Sequence, residues 1–93
     1  MNYPNEITVR VRKRDIRRGV PFEPSRCPIA LAVRRIFHKR VWVFLGERGV
    51  QVGVRVLYRL PQEAVEFADG FDAGKEGLPP FQFVAVKIAK GKG

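Results

Sequence analysis

Every second residue from Val50 to Tyr58 is apolar. In an extended strand successive side chains point to opposite faces, so this pattern buries one face and exposes the other. Val50, Val52, Val54, Val56 and Tyr58 form the inner set, and Gln51, Gly53, Arg55 and Leu57 the outer set. A shorter alternation, Glu6 to Arg12, places Ile7, Val9 and Val11 on one face and Thr8, Arg10 and Arg12 on the other. Sheets of this kind need a cover for their apolar face, and two helical segments are available to supply it.

The first helix is expected from Ser25 to about Arg40. Ser25 is a capping residue, and Pro28 is tolerated in the first turn. Ile29, Ala32, Val33, Ile36 and Phe37 share one side, with Arg34, Arg35 and His38 opposite. The second is expected from Pro61, with Ala64, Phe67, Ala68 and Phe71 as its buried stripe. Lys13 to Gly19 can form a short helical turn. Val41 to Leu45, joined by Gly46-Glu47-Arg48-Gly49 to the Val50–Tyr58 run, reads as a β-hairpin. Phe81 to Ile88 reads as the last strand, with Val84, Val86 and Ile88 inside and Phe83, Ala85 and Lys87 outside.

The expected architecture is therefore α+β: a four-stranded, mainly antiparallel sheet with two helices on one face, in the ferredoxin-like βαββαβ order. A different α+β strand order is the alternative. The 93 residues, 45% of them hydrophobic, fit a single domain, with residues 1–5 and 89–93 as mobile ends.

Charge narrows the choice of partner. The net charge is +9, and it is unevenly placed. Residues 1–48 hold twelve Lys/Arg against four Asp/Glu, whereas residues 49–93 hold six against five. Clustered cations repel one another, so a one-sided excess points to a polyanionic partner, nucleic acid being the commonest. Arg10, Arg12, Arg14, Arg17, Arg18, Arg34, Arg35 and Arg55 are the candidate phosphate contacts. The outer residues of the Val41–Leu45 strand are either Trp42 and Phe44 or Val41, Val43 and Leu45, and the bulk of valine already in the core favours the aromatic pair outside. Trp42, Phe44 and Phe83 are the candidate stacking platforms. The Arg48–Arg55 segment lacks the aromatic pair of an RNA-recognition motif. His38, Lys39 and Arg40 extend the helical basic face, which can bind a duplex backbone without reading bases.

Catalysis finds no support. Cys27 lies at a helix start beside Arg26, which favours a thiolate. The single histidine, His38, falls about 16 Å further along the same helix, too distant to act as its base. One cysteine and one histidine do not build an ordinary zinc site. Glu63, Glu66, Asp69 and Asp72 read as a solvated helix edge. No enzyme activity, cofactor or metal is expected. The single cysteine, the absence of a long apolar run and the absence of signal-peptide character in residues 1–6 suggest a soluble protein of a reducing cytoplasm.

Several short segments carry a resemblance. Cys27-Pro28-Ile29-Ala30-Leu31-Ala32 opens a helix. Leu60-Pro61-Gln62-Glu63-Ala64-Val65-Glu66-Phe67, Phe71-Asp72-Ala73-Gly74 and Pro80-Phe81-Gln82-Phe83 follow in order. Together, over roughly residues 7–84, they resemble a group of small bacteriophage and prophage proteins of uncharacterised function. The resemblance implies a viral accessory protein acting inside a bacterium and transfers no catalytic residues. The arginine load of residues 10–18 departs from that group. Two further readings therefore stand beside nucleic-acid binding. One is an accessory protein that binds an acidic host protein or sequesters an anionic nucleotide. The other is a homodimer formed through the open sheet face.

Overall fold

A computed structural model describes residues 3–88. Five strands and three α-helices follow in the order β1 (Glu6–Val11), α1 (Lys13–Arg18), α2 (Pro28–Phe37), β2 (Val41–Phe44), β3 (Gly49–Val52), β4 (Val56–Arg59), α3 (Gln62–Asp72) and β5 (Phe81–Lys87). The sheet order is β1-β5-β4-β3-β2, and each pairing is antiparallel.

This corrects the expected four-stranded ferredoxin-like sheet. A split-βαβ unit needs parallel pairing across a helical crossover. Here β1 is an edge strand, and its neighbour is β5, antiparallel. The fifth strand comes from the Val50–Tyr58 run, which is two strands. Gly53 takes a left-handed φ of 66° and turns the chain back, pairing Val52 with Val56. A glycine within an alternating run marks such a bend. The alternation hides it because paired residues share a face and the loop between Val52 and Val56 is three residues long. Parity therefore survives the turn. Val54, expected in the core, is 86% exposed at its tip.

The last strand is inverted relative to expectation. Phe83 pairs with Val9 and Ala85 with Ile7. Residues directly opposite in an antiparallel pair share a face, so the inward set of β1 draws Phe83 and Ala85 into the core. Phe83 is 3% exposed, whereas Val84 and Val86 are 45% and 47% exposed. Aromatic packing adds to the preference: Phe81 lies 5.6 Å from Phe83 and 4.6 Å from Phe67, ring centre to ring centre.

Helix α2 carries the chain from one edge of the sheet to the other and touches both edge strands, β1 and β2. In the middle of the sheet β4 and β5 pair over Tyr58↔Lys87 and Arg59↔Val86. Ile29, Ala30, Val33 and Phe37 of α2 meet Ala64, Val65, Phe67 and Ala68 of α3 in a single apolar core. The helix is shorter than expected. Cys27 occupies the N-cap position, and His38 ends it in a left-handed conformation, φ 58°. Ile36, expected on the buried stripe, is 41% exposed.

Of the terminal stretches expected to be mobile, residues 1–2 and 89–93 lie outside the described residues. Residues 3–5 make several contacts. The Tyr3 ring lies 5.4 Å from Phe37, the Tyr58 hydroxyl donates to the Pro4 carbonyl at 2.6 Å, and the Lys87 N–H donates to Asn5 at 2.7 Å. Among the described residues no helix is long and apolar enough to cross a membrane.

Candidate nucleic-acid interface

The arginine-bearing segments meet around α2. Helix α1 packs beside it, and the two run in opposite directions. Asp15, in the middle of α1, bonds Arg35 near the end of α2, while Gly19 abuts Pro28 at its start. A Cβ on Gly19 would fall 2.6 Å from the Pro28 ring, so this close approach requires glycine.

Among the described residues Asp15 is the one buried charged side chain, 3% exposed. Its carboxylate accepts two hydrogen bonds from Arg35, at 2.9 and 2.8 Å, and one from the Arg12 N–H at 2.8 Å. The Arg12 bond satisfies a backbone donor at the start of α1. Burial pushes the Asp15 pKa up, but the Arg35 hydrogen bonds and charge, with the Arg12 N–H, outweigh it and hold the acid below its ordinary value. Arg35 also donates to the Arg10 carbonyl at 3.1 Å. This places Arg35 at a structural junction of β1, α1 and α2, its charge already met by a carboxylate.

Arg34 differs completely. It is exposed, and no carboxylate of a described residue lies within 4.0 Å of it. It lines two adjoining concavities. One, of about 550 Å³, is formed by Leu31, Arg34, Arg35, His38, Lys39 and Arg40. The other, of about 300 Å³, is formed by Ser25, Arg26, Arg34, Arg40, Val41 and Trp42. Arg34 and Arg40 belong to both, and no Asp or Glu lines either. The Arg40 guanidinium carbon lies 5.9 Å from the centre of the half-buried Trp42 ring, within cation–π range.

The remaining expected contacts are more widely spread, with Arg10 and Arg12 at the sheet edge opposite β2. Arg14, Arg17 and Arg18 are exposed on α1 beside α2, and Arg10 and Arg12 are exposed along β1 and its end. Arg17 and Arg18 also suit the negative end of the short helix. Arg55 is exposed in the β3–β4 turn. That turn packs against the α2–β2 loop, where the Gly53 N–H donates to the Arg40 carbonyl at 2.8 Å, so Arg55 sits at the same end as Lys39 and Arg40. Phe44 is exposed two residues beyond Trp42 on the same side of β2, as expected. Phe83 is buried, and Arg35 is neutralised by Asp15, so neither is available as the sequence suggested.

Arg26 was not expected at the site; it completes the groove together with Lys39 and Arg40, which were expected only as an extension of the helical basic face. Arg26 comes from the loop before α2 and Arg40 from the loop after it. Their spacing of fourteen residues carries no periodic signal, because it takes the whole helix to bring the two loops to one edge of β2.

Cys27 is buried, and burial raises its thiol pKa, with the nearby Asp72 charge adding to the effect and first-turn N–H groups opposing it. A thiol in that state is a poor nucleophile. Among the described residues no cluster of three His, Cys, Asp or Glu side chains could hold a metal ion.

No family model, curated protein or solved structure matches the chain.

Proposed function

We propose that the protein binds nucleic acid through a cationic groove at the junction of α2 and β2, extended by the exposed arginines of α1. The observation that carries this reading is the convergence of Arg26, Arg34, Lys39 and Arg40 on two joined concavities that contain no carboxylate. Like charges gathered in this way repel and cost stability, and a polyanion relieves the repulsion. Phosphates would meet Arg34 and Arg40 first, with Arg14, Arg17 and Arg18 continuing the surface. Binding of this kind is governed by counterion release.

A salt titration against labelled oligonucleotides tests it. Four phosphate contacts predict that affinity falls roughly a hundredfold between about 50 and 200 mM salt. Absence of binding at about 50 mM salt overturns the proposal.

A further inference from the structure

We infer that the smaller concavity receives a single unpaired nucleotide of a single strand, its base stacked on Trp42 and its flanking phosphates on Arg34 and Arg40. This rests on the nucleic-acid reading above and specifies its substrate class. Three observations support it. Trp42 is half-buried on the edge strand β2 and lines a concavity of about 300 Å³. That space is at the small end of ligand-sized sites. It suits one nucleotide and is too small for a base pair within a helix.

Cationic side chains border the ring's space. Arg34 and Arg40 are shared between this concavity and the larger groove, so a chain leaving the ring passes both guanidinium groups. Arg40 already covers the indole at 5.9 Å. A base takes over that stack and releases the guanidinium to a phosphate. Phe44 lies one strand repeat further along the same side, about 7 Å away, and is exposed enough to hold the next base.

Duplex bases stack on each other and cannot offer a face to an aromatic ring, whereas single strands can. The site is therefore expected to discriminate by strandedness. The chemistry is common to single-stranded DNA and RNA.

The chain has one tryptophan, so its emission reports this site alone. Titration with a deoxy- and a ribo-oligonucleotide of about twelve residues, and with a hairpin duplex closed by a non-nucleotide linker so that it holds no unpaired base, is the direct test. Quenching of Trp42 by either single strand, with at least tenfold tighter binding than the hairpin, is the expected result. Trp42→Leu should weaken single-strand binding about tenfold, with hairpin binding within twofold of the original and Trp42→Phe recovering part of the loss. Equal affinity for strand and hairpin with unchanged emission overturns the inference and leaves the arginine reading standing. Failure to bind either polymer at about 50 mM salt overturns both. The wild-type emission change decides the question even if Trp42→Leu does not fold.

Discussion

Arg34 and Arg35 are neighbours in the chain and opposites in the fold. About 100° of helix rotation separates them. It turns Arg35 toward α1, where a bidentate bond to Asp15 spends its charge inside the protein. It turns Arg34 toward the β2 edge, where its charge faces solvent beside Arg26 and Arg40. Two identical residues thus have different surroundings: one fastens helices, the other keeps an exposed charge that no carboxylate of a described residue meets. Positive charge indicates a partner only where the protein does not supply one.

The contrast is most sharply tested at Asp15. Asp15→Ala leaves Arg35 without its partner and exposes an unsatisfied N–H at the start of α1. Because the Arg35 side chain is 34% exposed, the cost falls short of that of a fully buried pair. A loss of about 2 kcal/mol in urea unfolding is expected. A loss under about 0.5 kcal/mol would show that the junction is a solvated ion pair.

A pH series sharpens the same point. The Asp15 pKa is lower in the folded chain than its ordinary value of 3.8. The unfolded chain therefore binds the proton more readily. The ion pair's contribution is complete above the ordinary value and is lost as pH falls through it toward the lowered folded value. Thermal unfolding between about pH 6 and pH 2 should show an acid limb that Asp15→Asn makes shallower.

Binding breaks the comparison from the other side. Arg34→Ala with Arg40→Ala should weaken oligonucleotide binding about tenfold near 100 mM salt and reduce the salt slope by about two. The effect should be uniform across sequences, since backbone contacts carry no base information. An unchanged slope would move the phosphate contacts elsewhere.

The smallest expected effect completes the pair. Arg34→Ala alone should alter stability by less than about 0.5 kcal/mol, as surface changes usually do. A larger loss would mean that Arg34 has a structural part and that the two arginines are less different than their surroundings imply.

The inward face of β1, the hairpin after α2 and the stripes of α2 and α3 were legible because each is written in local periodicity. Ile7, Val9 and Val11 alternate, and Ala64, Phe67 and Ala68 recur at helical spacing, whatever the rest of the chain does. The outward placement of Trp42 and Phe44 was one of two alternatives in the sequence, favoured by the volume of valine competing for the core. The turn at Gly53 was legible as a glycine and concealed by an odd loop that preserved parity. The facing of β5 was not legible, since both of its alternating sets are apolar enough to be buried. The groove could be read only in part: Arg34 stood out on its helix, but its companions come from loops on either side.

Composition and spacing alone determined that this chain forms amphipathic strands and helices around one core, and that it carries a surplus of cations in its first half. Those properties depend on neighbours a few residues apart. Strand order, the inversion of β5 and the division between Arg34 and Arg35 were settled only when distant segments packed. A pairing register and an ion pair across fifteen or more residues depend on which surfaces meet, and no local pattern encodes that meeting.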